Sequence, residues 1–107
     1  MVLTRDFKET IQARVLEDPV FRKALLQEGA ECLLAGDTET GKAVLRDYIN
    51  STIGFEQLSN VFGKSSKSLM RMFGPKGNPQ ANNLFAVISY LQEREGIHLE
   101  VKAQEIV

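Results

Sequence analysis

The sequence predicts an all-α fold, a compact helical bundle within one structural domain of 107 residues. Apolar residues recur at helical spacing along most of the chain, as in Phe7, Ile11 and Val15. Caps and glycines divide these stretches into helices of ordinary length. With 43% hydrophobic residues, a chain of this length can build a modest core without disulfide bonds.

The first two predicted helices have recognisable start signals. Thr4 is placed to cap the first helix, which ends before residues 17–19. Asp18 followed by Pro19 begins the second, because proline lacks only a donor that the first turn of a helix does not use. Both starts therefore follow from residue types alone.

A third helix follows a helix-ending glycine. Gly36 suits the left-handed position at the end of the second helix, and Asp37 is placed to cap the third, which Gly54 ends. We expect residues 1–36 to form N-terminal helices that pack on the core, and residues 37–107 to form the part that carries the function.

The stretch from residue 54 to 79 predicts two short helices joined at a glycine. Phe55, Leu58, Val61 and Phe62 give the first of them one apolar face. Gly63 follows where the chain must turn sharply with positive φ. The turn between the two helices is therefore predicted to be tight.

The second of these short helices is capped by Ser65, with Leu69, Met72 and Phe73 facing the core. The side chains predicted to be more exposed are Ser66, Lys67, Ser68, Met70 and Arg71. Two helices with this spacing indicate a helix-turn-helix, whose second helix enters the major groove of DNA.

Charge is unevenly distributed along the chain, although the net charge is only −1. Residues 55–80 hold four cations and one carboxylate, whereas residues 1–40 hold five cations and eight carboxylates. A basic patch on a nearly neutral chain is typical of a protein with one surface that meets a polyanion.

The predicted DNA-binding residues are short hydroxyls, an amide and long cations in and beside the second short helix: Lys64, Ser65, Ser66, Lys67, Ser68, Arg71, Lys76 and Asn78. Lys67 and Arg71 are long enough to reach guanine O6 and N7, and the serines can bond base edges or phosphates. Lys64 is better placed for phosphate.

The loop GPKGNP is predicted to hold the DNA backbone beside the groove. It supplies Lys76, and Asn78 followed by Pro79 repeats the signal of a cap and a first-turn proline. The free amide groups at such a helix start favour a phosphate oxygen. The helix that follows is expected to end at Gly96.

The segment IHLEV alternates apolar and polar residues from Ile97 to Val101, which is the period of a strand. Two interpretations stay open. One is a short C-terminal strand that pairs across a dimer or with another protein. The other is a frayed tail that rests on the core.

Other chemistry finds little support in the sequence. Gly36 to Ala43 fits G-x-x-x-x-G-K but lacks the hydroxyl that a phosphate loop needs for magnesium. Cys32 is predicted to be a core residue and His98 a surface residue, and no spacing suits a metal or a catalytic triad. We expect no enzyme activity, no cofactor and no bound metal.

The signals along the chain favour the cytoplasm. No apolar leader segment opens the sequence, and nowhere do about 18 apolar residues run together. The single cysteine, Cys32, excludes an internal disulfide framework. We therefore expect neither a secreted nor a membrane protein.

The C-terminal half resembles the XRE-type helix-turn-helix of HigA-like antitoxins, the addiction module antidote regulators. The residues that carry the resemblance are FGKSSKSLMRMF, from Phe62 to Phe73, and the later GNP. The resemblance implies a lambda-repressor-like helical fold, a homodimer on a palindromic operator of double-stranded DNA, and often a RelE-like toxin as partner. It implies transcriptional repression of a toxin-antitoxin operon.

An alternative from another class is a protein-interaction module that retains the helix-turn-helix scaffold without reading DNA. The low total basicity and the acidic N-terminal half favour it. Those acidic residues are either a solvated helix face or a docking surface for a basic toxin.

Overall fold

The computed structural model describes residues 12–107, which form helices and no strand. The helical segments are α1 (residues 12–17), α2 (Pro19–Leu34), α3 (Thr38–Ser51), α4 (Phe55–Phe62), α5 (Ser66–Met72) and α6 (Ala81–Glu95). The all-α prediction is confirmed for this part of the chain. The expected cap Thr4, with Phe7 and Ile11, lies outside the described residues.

The predicted start and end of α2 are confirmed. One side-chain oxygen of Asp18 accepts the amide hydrogens of Val20 and Phe21, both at 3.1 Å, and a proline occupies the first turn. Past the end of the helix, Gly36 has φ +86°, the left-handed value that glycine adopts without steric strain.

The predicted start of α3 is confirmed as well. The Asp37 carboxylate accepts the amide hydrogen of Thr40 at 3.3 Å. At the far end, Gly54 has φ +79° and its N–H donates to the Ile49 carbonyl at 2.8 Å. Gly54 then occupies the N-cap position of α4, so one glycine ends one helix and begins the next.

Two glycines allow α2 and α3 to pack closely. A Cβ on Gly29 would lie 2.8 Å from the side chain of Leu45, and a Cβ on Gly41 would lie 2.7 Å from that of Leu33. Side-chain carbon atoms do not approach this closely, so only glycine fits at either position without movement of the neighbour. The absence of two side chains therefore sets the spacing between α2 and α3.

The core is one cluster to which α2 to α6 all contribute. Its buried members are Leu26, Leu45, Tyr48, Ile49, Ile53, Phe55, Leu58, Leu69, Phe73, Val87, Ile88 and Leu91. The rings of Phe55 and Phe73 meet with centroids 6.2 Å apart, which joins α4 to the end of α5. Val15 of α1 is also fully buried.

A polar cluster lies at the edge of this core. Glu95 on α6 accepts hydrogen bonds from the Tyr48 hydroxyl and from Arg22 Nε, the latter at 2.6 Å. Arg22 also donates to the carbonyls of Val15 and Leu16, each at 3.2 Å. The Glu95 carboxylate therefore joins α2, α3 and α6, and the Arg22 guanidinium connects them to the end of α1.

The tail (residues 97–107) is not a strand in this structure. The N–H groups of Ile97 and Leu99 bond to Gln92, through its carbonyl at 3.1 Å and its side-chain oxygen at 2.8 Å. Both side chains pack against the core. A strand needs a neighbouring strand for its ladder, and residues 12–107 of a single chain offer none. No helix among these residues is long and apolar enough to span a membrane.

The α2–α3 contact predicts that Gly29→Ala lowers the free energy of unfolding. Overpacking against the fully buried Leu45 should cost about 1–3 kcal/mol, partly offset by the gain of about 1 kcal/mol in helix propensity. Urea denaturation measures the difference. The exposed neighbour Glu28 provides the control, since Glu28→Ala adds no clash. A Gly29→Ala protein as stable as the parent would contradict the close contact.

The environment of Tyr48 predicts that the protein loses stability at alkaline pH. Burial raises the pKa of its phenol, and the hydrogen bond to Glu95 raises it further. The folded state therefore favours the neutral phenol. The resulting contribution of Tyr48 to the free energy of unfolding is complete below the unfolded pKa of about 10 and falls by about 1.4 kcal/mol per pH unit above it. Denaturation of the parent and of Tyr48→Phe at pH 8 and pH 11 should show their difference shrinking at the higher pH. A constant difference would contradict this.

Candidate nucleic-acid interface

The turn between α4 and α5 has the predicted left-handed glycine. Gly63 has φ +65°, and its N–H donates to the Ser59 carbonyl at 2.9 Å. The Ser59 hydroxyl donates to the Lys64 carbonyl, which fixes the chain on the far side of the turn. The direction in which α5 leaves the turn is therefore held by contacts from α4.

One residue of α4 does not face the core as predicted. Phe55 and Leu58 are buried, but the Val61 side chain is 48% exposed. A helix of eight residues has room for one narrow apolar stripe, and Phe62 takes the last position on it by packing edge-on against Tyr90. Val61, one residue earlier, is turned towards solvent.

Ser65 is the N-cap of α5, as predicted. Its oxygen accepts the Ser68 amide hydrogen at 3.1 Å, and its hydroxyl donates to the Ser68 oxygen at 2.9 Å. The Ser65 hydroxyl hydrogen is thus already used, whereas Ser68 keeps its own hydroxyl hydrogen for another acceptor. Ser65 therefore holds α5 in place, and Ser68 is the better candidate for a ligand contact.

The two faces of α5 are arranged largely as predicted. Leu69 and Phe73 are buried, and Met72 is half-buried against the core. Lys67 and Arg71 are exposed and four residues apart, so they lie on the same face of the helix. Ser68 and Met70 are also exposed. Ser66, predicted to be exposed, is half-buried, because it lies three residues before the buried Leu69 and so on the side of α5 that faces the core.

The electrostatics around α5 are one-sided. Residues 57–92 contain four cations, Lys64, Lys67, Arg71 and Lys76, and no carboxylate, while the rest of the chain contains nine cations and fourteen carboxylates. All four are exposed, and the ion pairs found within residues 12–107 involve none of them. This segment can attract a polyanion without first breaking a salt bridge among the described residues.

A buried lysine on α3 holds the loop that follows α5. Lys42 on α3 is only 5% exposed, and its ammonium donates to the carbonyls of Gly77 at 2.7 Å and Gly74 at 3.2 Å. A carboxylate oxygen of Glu39 lies 3.2 Å from the same nitrogen. The ammonium thus has three acceptors, which offset the cost of removing it from water.

The same loop also packs tightly against α5. A Cβ on Gly77 would lie 1.9 Å from the Arg71 carbonyl oxygen, a distance that no side chain could tolerate. The Gly74 N–H donates to that carbonyl at 3.1 Å, and the Gly77 N–H donates to the Gly74 carbonyl at 3.0 Å. The loop therefore folds back on the end of α5, which sets the position of the exposed Lys76 between the two glycines.

The predicted cap at Asn78 is wrong. The helix begins at Ala81, and its N-cap is Gln80, whose side chain makes no capping hydrogen bond. The contacts of Gly77 with Lys42 and α5 hold the chain in the loop at this point, so Asn78 and Pro79 lie ahead of the helix. Asn78 stays exposed, and the expected side-chain cap of the α6 amide groups is absent.

The role of Lys42 was not predicted, although its position in the sequence contains a signal. Lys42 stands three residues before Leu45 and seven before Ile49, on the buried stripe of α3. A lysine at such a position must find acceptors inside the protein. The structure also removes the phosphate-loop interpretation of residues 36–43, because Gly41 and Lys42 lie within a helix and the ammonium is fully engaged.

The other reactive side chains show no activated group. Burial raises the pKa of the half-buried Cys32 thiol, with smaller contributions from the carboxylates of Asp37, Glu28 and Glu31. Because the thiolate is the nucleophilic form, the raised pKa makes this thiol less reactive. His98 is exposed. Within residues 12–107 no group of three His, Cys, Asp or Glu side chains is placed to hold a metal ion.

The buried ammonium predicts that Lys42→Met destabilises the protein. The Gly77 carbonyl would lose its donor and the Gly74 carbonyl would keep only the Gly77 N–H, at a cost of about 2 kcal/mol in the free energy of unfolding. Lys76→Met, which removes an exposed lysine from the loop itself, is the matched control and should change stability by less than about 0.5 kcal/mol. Equal effects of the two substitutions in urea denaturation would contradict the role of Lys42.

Comparisons with known proteins leave the family unassigned. A scan against protein-family models found no match for this chain, and searches of curated proteins and of solved structures found none either. The functional proposal therefore depends on the residues and geometry of the site itself.

Proposed function

We propose that the protein is a sequence-specific regulator that binds double-stranded DNA through α5, as a homodimer on a palindromic operator. The observation that carries the proposal is the exposed cationic face of α5 and its flanking loops, within 36 residues, 57–92, that contain no carboxylate. Two short helices joined through Gly63 support the proposal of a helix-turn-helix, a motif in which the second helix reads the major groove.

Each exposed residue has a role that its position supports. Lys67 and Arg71 share one face of α5 and read base edges, with Arg71 suited to a bidentate contact with guanine. Ser68 adds a hydroxyl donor beside them. Lys64 before the helix and Lys76 after it contact phosphates on either side of the groove. Lys42 and Gly77 act indirectly, because they hold the loop that carries Lys76.

The start of α6 adds a further phosphate contact in this proposal. Its N-cap makes no side-chain hydrogen bond, so no side chain caps the first-turn amide groups. Amide groups at a helix start favour an anion through their hydrogens and through the helix dipole. Asn78 is exposed in the adjoining loop and supports the same contact with the DNA backbone.

The resemblance to HigA-like antitoxins extends the proposal to the operon that the protein regulates. In this proposal the regulator represses its own toxin-antitoxin operon and binds a basic, RelE-like toxin. Exposed carboxylates on α2, including Glu28 and Glu31, support such a docking surface, since opposite charge speeds encounter.

The test of DNA binding is fluorescence anisotropy with the protein's own promoter fragment and a scrambled duplex, each across a salt series. Counterion release predicts that affinity falls steeply as salt rises. Preference for the promoter would support a sequence-specific regulator. Absence of binding, or equal weak binding to both duplexes, would favour the alternative, a protein-interaction module on a helix-turn-helix scaffold.

Arg71→Ala should weaken binding to the promoter by about 1–3 kcal/mol, the contribution of a good bidentate contact to a base. The scrambled duplex should be affected less, so the preference for the promoter should fall. Lys23 is an exposed cation on α2, and Lys23→Ala serves as a control with the same change of charge. A folded Arg71→Ala protein with unchanged promoter affinity would remove Arg71 from the reading surface.

A further inference from the structure

The first residues of the tail are attached to the end of α6. The N–H groups of Ile97 and Leu99 both bond to Gln92 on α6. Their side chains are half-buried, while those of His98 and Glu100 between and after them are exposed. This alternation is the pattern of an extended chain with one side against a protein surface.

The other edge of the tail is open. The N–H groups of His98, Glu100 and Lys102 make no hydrogen bond to another of the described residues. In an extended chain these alternate groups share one edge, opposite to the edge of Ile97 and Leu99. From residue 100 onward, no backbone group of the tail is hydrogen-bonded to another of the described residues 12–107. An edge of this kind is a template for pairing with a second extended segment.

Apolar side chains surround the same place. Val101 is 78% exposed, and with Leu34 and Phe85, which are 66% and 56% exposed, it borders a groove of about 240 Å³ between α2, α6 and the tail. A cluster of large exposed apolar side chains beside an open edge is typical of an interaction surface.

We propose that the partner at this surface is a second copy of this chain, with the two tails paired antiparallel about a two-fold axis at Val101. In that register Glu100 lies opposite Lys102 of the second copy, and Lys102 lies opposite the second copy's Glu100. The dimer thus forms two cross-strand ion pairs, and opposite charges at facing positions stabilise a strand pair. Val101 packs against its own copy at the centre.

The neighbouring registers lose this charge match. A two-fold axis perpendicular to an antiparallel strand pair leaves every side chain on its own face. Such an axis must pass midway between two copies of the same residue, which then lie opposite each other. An axis at Glu100 or at Lys102 would place like charges directly opposite each other, which is destabilising. An axis at Leu99 would place Glu100 opposite His98 and Lys102 opposite Gly96, without either ion pair. Charge therefore selects Val101.

The biological meaning of this interface rests on the proposed dimeric regulator, but its test needs no DNA. Sedimentation equilibrium of the parent protein over a concentration series should show a monomer–dimer equilibrium. Lys102→Glu places two carboxylates opposite each other in both pairs, and Glu100→Lys places two ammonium groups there. Each variant alone should self-associate about tenfold or more weakly than the parent.

The decisive sample is a mixture of the two variants. A heterodimer of Lys102→Glu with Glu100→Lys regains an opposite charge at both pairs, so the mixture should dimerise where neither variant does alone. Both side chains are exposed, so neither substitution should unfold the chain. Glu105→Lys is the matched control, because residue 105 faces the second copy's Ile97 in this register and its charge has no partner there.

Three results would overturn the interface: a parent that stays monomeric throughout, single variants that dimerise like the parent, or a mixture that remains monomeric. A parent that stays monomeric would also remove the homodimer from the proposed function, whereas the other two results would leave both the homodimer and promoter binding by α5 standing. Conversely, a protein that dimerises as described but binds no DNA would leave the interface standing and remove the proposed function.

Discussion

The close packing of α2 on α3 is the constraint on which the rest of the structure depends. It exists because Gly29 and Gly41 have no side chains where Leu45 and Leu33 approach. With the two helices this close, the buried stripe of α3 is fixed in rotation as well as in distance. Lys42, the residue after Gly41, is thereby directed inward to the loop that follows α5.

In this arrangement a buried lysine and an exposed lysine have different roles. The buried ammonium of Lys42 donates to two carbonyls of the loop, and the Gly77 carbonyl would otherwise need a donor from solvent. Lys76, in the middle of that loop, is exposed and makes none of the ion pairs found among residues 12–107. One lysine therefore holds the loop in shape while the other is exposed to solvent.

The features that sequence could predict are those that depend on neighbouring residues. The caps Asp18, Asp37 and Ser65 each bond to amides two or three residues ahead, so residue type and spacing were enough to place them. The left-handed glycines at helix ends follow the same local logic. The faces of α5 also followed from helical period, which is why most of the candidate site was predicted.

The features that sequence could not predict depend on distant contacts. Glu95 bonds to Arg22, which is 73 residues away in the chain, and no local pattern announces such a partner. The mistaken cap at Asn78 has the same origin. Its residue type suits a cap. However, Lys42 of α3 donates a hydrogen bond to the Gly77 carbonyl, and this contact keeps the chain out of the helix at Asn78. A local preference of about 1 kcal/mol is easily overridden by such contacts.

The position of α6 connects the two surfaces proposed here. Its first residue, Ala81, follows the loop that carries Lys76, and Gly96 at its end leads into the tail. At 1.5 Å per residue, its 15 residues span about 22 Å. Val87, Ile88 and Leu91 anchor it in the core, so its two ends cannot move independently. In a dimer formed through the tails, α6 would therefore set how far the reading helix lies from the two-fold axis, and with it the spacing of the operator half-sites.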